Sequence, residues 1–157
     1  MIEELYINEV DAWLEYGVNM GEGFLNAIDA FVPMKDYIEN ESRLQHGKRI
    51  IIKEDFVKVA SRELTLKFHL RGKNADDFLK KRALFEGVLK QGKIKIEIPK
   101  YKKGVYYRLV YLGKSVDYAM NWARTSCTIA AKFIEQNPMN RTFIDEDAAE
   151  FEDKENE

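Results

Sequence analysis

The chain has 157 residues, of which 45% are hydrophobic and 33% charged, and its formal net charge is −2. This length and composition are typical of one globular domain that buries about two thirds of its unfolded surface. A membrane-spanning helix needs about 20 apolar residues in a row, and no apolar run in the chain is that long. The opening MIEELYINEV lacks the basic and apolar segments of a secretory signal. A single cysteine, Cys127, excludes an intramolecular disulfide and is typical of cytoplasmic synthesis.

The charge is unevenly distributed along the chain. Asp145–Glu157 contains eight acidic residues and one lysine, a local charge of −7, so the remaining 24 basic and 19 acidic residues give +5. An acidic segment with few apolar residues predicts a disordered tail over 142–157, after a single domain over 1–141. A charge of +5 spread over the domain is too small to indicate nucleic-acid binding by itself.

The first third of the chain predicts short extended elements. Loose alternation predicts a strand near Leu5–Asp11, and a second strand is predicted over Trp13–Met20. Phe24–Phe31 is ambiguous, because its aromatic spacing is helical but the segment is short, and Pro33 ends it in either case. A further strand is predicted over Asp36–Ser42.

The segment Arg43–Phe56 predicts an extended loop around Gly47. It includes an apolar run, Ile50–Ile52, for which two interpretations stay open. The run is either a short buried strand or an exposed segment that contacts another molecule.

The clearest pattern in the chain is strand, helix, strand over Arg62–Pro99. Arg62–Gly72 alternates between apolar and polar residues, and Asn74 then stands where a helix N-cap is expected. Apolar residues recur at three- and four-residue spacing up to Gly92, which predicts an amphipathic helix over about 74–91. The residues predicted to pack against a sheet are Phe78, Leu79, Phe85, Val88 and Leu89.

Antiparallel strands are predicted for the rest of the domain. Val105–Leu112 follows a turn at YKKG, and alternating residues continue over Val116–Trp122 and Cys127–Phe133 before Pro138. The predicted fold class is therefore mainly β (α+β), an antiparallel β-sandwich or barrel with one amphipathic helix packed against it.

Residue patterns for catalysis are sparse. The two histidines, His46 and His69, have no HExxH or CxxC motif beside them, and no glycine-rich phosphate loop occurs. Cys127 lies in the apolar register of its strand and predicts a buried thiol rather than a nucleophile. The sequence therefore predicts no enzyme, no cofactor and no metal site, with a small-ligand barrel enzyme that uses His69 or an acidic residue in its pocket as an alternative.

Lysines and tyrosines interleave over Lys100–Lys114. On a β-hairpin this combination can contact phosphates and stack on bases, which makes single-stranded nucleic-acid binding an alternative function. The other interpretation is a half-exposed hairpin with cross-strand tyrosine pairs, favoured because the acidic tail competes with a polyanion. The candidate nucleic-acid-binding residues are Lys102, Lys103, Tyr106, Tyr107 and Arg108.

The order of these elements resembles the distal tail protein family of long-tailed phages, in particular its ring-forming N-terminal domain with a tail-tube-like fold. The similarity is carried by RELTLKFHLRG (Arg62–Gly72) and by FLKKRALFEGVLKQG (Phe78–Gly92). YRLVYL (Tyr107–Leu112) and FIEQNP (Phe133–Pro138) also resemble the general sequence pattern of the family. The similar region covers about 4–141, which leaves no room for the second, carbohydrate-binding-like domain that such proteins often carry.

The resemblance implies a structural virion protein that assembles into a ring, with six copies expected, and joins the tail tube to the baseplate. The implied partners are further copies of the chain and other tail proteins, with no membrane and no specific nucleic acid. The implied location is the cytoplasm during assembly and then the virion tail. Under this interpretation the loop before the central strand supplies the subunit-interface candidates, which are Arg43, Leu44, His46, Lys48, Arg49, Ile51 and Lys53.

Overall fold

The computed structural model describes residues 2–36, 38–40, 46–47, 49–51, 58–114 and 116–141. These residues form ten strands and four helices. Eight strands make one antiparallel sheet that curls into a half-barrel, with the longest helix packed on its inner face. The predicted fold class, mainly β with one amphipathic helix against the sheet, is confirmed. The acidic segment 142–157 lies outside the described residues, so its predicted disorder and the domain boundary stay predictions.

The strands are β1 (Tyr6–Ile7), β2 (Val10–Asp11), β3 (Val18–Met20), β4 (Ile38–Asn40), β5 (Arg49–Ile51), β6 (Arg62–Arg71), β7 (Lys93–Ile98), β8 (Lys103–Tyr111), β9 (Asp117–Met120) and β10 (Ser126–Glu135). The helices are α1 (Ala12–Tyr16), α2 (Phe24–Ile28), α3 (Ala75–Lys90) and α4 (Pro99–Lys102). In the large sheet the order is β2-β1-β7-β8-β10-β6-β3, and β9 pairs with β10 beside the end of β8.

The N-terminal region departs from the predicted pair of strands. The first predicted strand is a tight hairpin, β1 and β2, whose two turn residues, Asn8 and Glu9, have positive φ angles. The second predicted strand, Trp13–Met20, is wrong over its first half, which is helix α1. The carboxylate of Asp11 caps this helix by accepting hydrogen bonds from the backbone N–H groups of Trp13 and Leu14. Gly17 ends it in the left-handed conformation, and only then does β3 begin.

The ambiguous segment after β3 forms helix α2, whose Phe24 and Ile28 are buried. The chain then enters a short stem closed by the Met34–Val59 bridge. Beyond the stem, β4 and β5 pair antiparallel in a separate two-stranded sheet, the arm hairpin. The segment predicted as an extended loop therefore contains β5, and the predicted strand over Asp36–Ser42 contains β4.

Helix α3 begins where the sequence predicts. The Asn74 side chain accepts a hydrogen bond from the Asp77 N–H, and the Asp77 carboxylate accepts one from the Lys73 N–H. The Lys73 hydrogen bond and the Lys81 ammonium hold the pKa of Asp77 below its ordinary value. Four of the five residues predicted to pack are buried, but Leu79 is 58% exposed and that prediction is wrong.

The core lies between α3, α2 and the concave face of the sheet. Its centre is an aromatic cluster in which the Phe68 ring lies 5.2 Å from Phe85, 5.3 Å from Phe24 and 6.1 Å from Phe133, all tilted edge to face. On β6 the buried residues, including Phe68, alternate with exposed or half-buried ones, so the period of two in the sequence maps directly onto this face. On β10 Phe133 follows the same period, but Ala130 on the other face is buried as well.

One end of the sheet is fixed by a buried ionic cluster. Glu135 is fully buried and binds two arginines, with 2.7 Å between its Oε1 and the Arg62 Nε and 2.7 Å to the Arg141 Nη2. Arg62 also donates to three backbone carbonyl groups at the end of α2, the shortest being Ile28 at 2.8 Å. The cluster therefore joins α2, both central strands and the segment that follows β10.

Candidate assembly surface

In the described part of the chain, two outer strands of the sheet, β3 and β9, have no strand on one side and lie at the same height. Strand β3 pairs with β6, β6 with β10, and β10 with β9, which gives a four-stranded ribbon. Its register places Val18, Leu70, Cys127 and Met120 in one row across the four strands. A second row contains Met20, Phe68, Ile129 and Tyr118. The outer strands of this ribbon, β3 and β9, are therefore level with each other.

The backbone of β9 presents hydrogen-bonding groups on its outer side. The Asn121 N–H donates to the Ser126 carbonyl oxygen at 3.0 Å, and antiparallel pairs alternate between bonded and non-bonded positions. Tyr118 and Met120 therefore occupy the non-bonded positions against β10, and their N–H and C=O groups point outward. Among the described residues, β9 pairs with no strand other than β10.

The outer side of β3 presents the same pattern. The Arg71 N–H bonds to the Gly17 carbonyl at 2.9 Å and the Gly21 N–H bonds to the Lys67 carbonyl at 2.8 Å. Val18 and Met20 consequently point their backbone groups away from β6. Within the described part of the chain, β3 has no second neighbouring strand. Unprotected edges of this kind are templates for pairing with another chain.

Exposed apolar residues accompany the β9 edge. They are Leu79 on α3 and, in and around β9, Val116, Tyr118, Met120 and Trp122. The Trp122 side chain is 98% exposed at the tip of the β9–β10 hairpin. The alternation over Val116–Trp122 is visible in the sequence, but the exposure of these side chains, from 39% for Val116 to 98% for Trp122, is seen only in the structure.

The predicted interface residues fall on or near the arm hairpin. Arg49 and Ile51 belong to β5, and His46 is exposed in the connection between β4 and β5. Arg43, Leu44, Lys48 and Lys53 lie outside the described residues. No observation on the arm tests its role as an interface, so that role stays a prediction.

The candidate nucleic-acid residues do not share one open face. Tyr107 is buried under the guanidinium group of Arg141, whose Cζ lies 4.9 Å from the ring centre. Lys102 is paired with Asp29 at 3.1 Å, and Lys95 lies over the ring of Tyr106. Hydrogen bonds from Tyr101 and Lys102 hold the pKa of Asp29 below its ordinary value.

The two remaining candidates on this hairpin are placed differently. Arg108 donates a hydrogen bond to the Asn140 carbonyl at 3.2 Å. Lys103 is exposed at the start of β8. Nucleic-acid binding by this hairpin stays a prediction that salt-dependent fluorescence anisotropy would test.

The residues with catalytic potential, His69 and Cys127, lie on paired strands but on opposite faces of the sheet, because His69 pairs with Thr128 and Cys127 pairs with Leu70. His69 lines an open cleft of about 320 Å³ beside β3, together with Trp13, Asn19 and Arg71. Burial raises the pKa of the Cys127 thiol, which is 2% exposed, as expected for a structural cysteine. In the described ranges, no three His, Cys, Asp or Glu side chains are grouped to hold a metal ion. No helix in those ranges has the length and apolar character to cross a membrane.

Comparison with known proteins supports the fold. No protein-family model matches the chain, and a search of curated proteins also finds no significant match. Among solved structures, the chain is similar to the Dit protein of phage SPP1, described as a paradigm of the hub adsorption apparatus in phages that infect Gram-positive bacteria. The TM-score is 0.56 at 11% sequence identity, over 86% of this chain and 50% of that one. The two proteins share a fold. This chain spans half the length of that phage protein.

Proposed function

We propose that the chain is a structural component of a phage or prophage tail that assembles into a ring and joins the tail tube to the baseplate. The observation that carries the proposal is the level pair of open edges, β3 and β9, on opposite sides of one four-stranded ribbon. The shared fold with a phage hub protein supports the same class of function. The proposal assigns no catalytic activity and no cofactor to the chain.

The two edges are complementary in direction and in hydrogen-bonding pattern. Strands β3 and β9 run antiparallel to each other, because each step across the ribbon is antiparallel. If neighbouring copies are related by rotation about an axis along the strands, β9 of one copy meets β3 of the next in antiparallel pairing. The outward groups of Met120 and Tyr118 then face those of Val18 and Met20. Such a head-to-tail contact repeats and closes into a ring when the rotation allows it.

The arm hairpin is proposed to add a second contact between copies. It is connected to the domain through the stem at Met34 and Val59, close in sequence to Arg62 of the Glu135 cluster. A ring of six copies is the expectation that follows from the similarity to distal tail proteins.

Sedimentation velocity over increasing protein concentration, combined with negative-stain electron microscopy, tests the proposal. We expect the wild type to form rings. Met120→Pro removes an N–H that points away from β10, so it should leave the monomer folded and reduce ring formation at least tenfold. Met120→Leu keeps this N–H and an apolar side chain, and it should assemble like the wild type.

The proposal is wrong if the protein stays monomeric at all concentrations, both alone and with the tail-tube protein of the same phage. Equal ring formation by the proline and leucine variants would contradict pairing through β9 in particular. Circular dichroism of both variants establishes that they are folded.

A further inference from the structure

The inner face of β9 is a half-covered apolar surface. Tyr118 and Met120 lie in the same rows as Ile129 and Cys127, which are buried, yet they are 43% and 44% exposed. Helix α3 packs on this face, with Phe85 against Phe68. Toward β9 the Arg82 side chain of α3 places its guanidinium group 5.1 Å from the Tyr118 ring centre. The sheet therefore extends one strand further than the helix that covers it.

Leu79 forms the helical wall of this surface. It lies one turn before Arg82 on the same side of α3. Gly72, at the end of β6, lies against the backbone of Phe78, so the next residue, Leu79, is nearer than Arg82 to the row that contains Leu70, Cys127 and Met120. We call the surface formed by Leu79, Tyr118 and Met120 the β9 slot.

On the opposite side of α3 the equivalent position is filled. Helix α1 lies there beside β3, and its Tyr16 ring is 6.3 Å from Phe85. Only Gly17 separates α1 from β3, so the helix and the strand are placed together. Along the inner face, the order is α1, then α3, then the β9 slot.

We propose that α1 of a neighbouring copy fills the β9 slot, with Leu14 of that copy against Leu79 and Met120. This inference rests on the proposed pairing of β9 with β3 of the next copy, because that pairing brings α1 to the slot through Gly17. Leu14 is 64% exposed, although α1 packs on the domain through the buried Ala12 and through Tyr16, whose ring lies 6.3 Å from that of Phe85. Burying these leucines together removes two exposed apolar side chains from water.

Charge at the slot favours the same occupant. The Arg82 guanidinium borders the slot and lies 3.6 Å from the Glu86 carboxylate. Helix α1 carries the exposed carboxylate of Glu15 next to Leu14. The neighbouring helix therefore brings an apolar residue and an acidic residue to a surface that is apolar and basic.

Association constants from sedimentation velocity test the slot. We expect Leu14→Ser and Leu79→Ser each to weaken assembly at least tenfold. The association constant of the double variant should fall by less than the product of the two single decreases, because both substitutions remove the same contact. Met139→Ser is the matched control, since Met139 is 71% exposed and follows β10 rather than lying in the slot, and it should assemble normally.

Intermolecular cross-linking gives a second measurement. Leu14→Cys and Leu79→Cys are made in separate chains that also carry Cys127→Ala, and the chains are mixed and oxidised. The mixture should form a cross-linked dimer that neither single variant forms alone. Rings that form but show neither the cross-link nor a loss with Leu14→Ser would overturn the slot and leave the proposed ring intact. A wild type that never assembles would overturn both.

Discussion

Single residues decide how the separate parts of this molecule are joined. Glu135 is the centre of its ionic cluster, and its two arginines come from distant positions, Arg62 on β6 and Arg141 after β10. Periodicity in the sequence predicts the strands that carry Arg62 and Glu135 but gives no sign of the pairing. Residues 73 positions apart meet because β6 and β10 pair along their full length.

We predict that Glu135→Gln lowers the free energy of unfolding by about 3 kcal/mol or more, because the Arg62 guanidinium stays buried without its anion. Urea denaturation followed by circular dichroism measures the change. Glu86→Gln is the control, since Glu86 pairs with Lys90 on the surface, and it should change stability by about 0.5 kcal/mol or less. Equal effects of both substitutions would contradict a structural role for the buried cluster.

At the scale of elements, α3 is the part that the sequence predicts best. Its N-cap, its length and four of its packing residues agree with the pattern, because capping and periodicity are local properties. Leu79 differs because its burial depends on what lies beside the helix, and no described element covers that side. Helix α1 was missed because Trp13–Met20 also fits a strand pattern, whereas the Asp11 cap decides for a helix.

Two glycines around α3 should respond to alanine with opposite signs. A Cβ on Gly87 meets nothing within 4 Å, so Gly87→Ala should stabilise the protein by about 0.5–1 kcal/mol through higher helix propensity. A Cβ on Gly72 would lie 2.4 Å from the Phe78 backbone nitrogen, so Gly72→Ala should destabilise by about 1–3 kcal/mol. Thermal unfolding of both variants beside the wild type measures the two shifts. A Gly72→Ala protein as stable as the wild type would contradict the close approach of α3 to β6.

At the scale of the whole molecule, the level edges predict one register between copies. If the rows of the ribbon continue across the contact, Asn19 of one copy lies opposite Ala119 of the next at a non-bonded position, with Cα atoms about 4.5 Å apart. That distance permits a disulfide.

Mixing Asn19→Cys chains with Ala119→Cys chains, both carrying Cys127→Ala, and then oxidising them should give a heterodimer in high yield. Pairing Asn19→Cys with Asp117→Cys moves the second thiol two residues along β9, to the same face, and is the register control. A stronger cross-link for the control would show that the strands pair in a different register.

The sequence by itself determined the fold class, the ends of α3 and the inward faces of β6 and β10, because alternation, helical spacing and capping act over a few residues. The similarity to distal tail proteins also indicated the fold, which the chain shares with the Dit protein of phage SPP1. Only the tertiary structure decided that Leu79 is exposed, that Glu135 joins two arginines, and that β3 and β9 are level open edges. Each of these features depends on the register of the strands and on which elements lie side by side in the fold. The local residue pattern of a single segment contains neither kind of information.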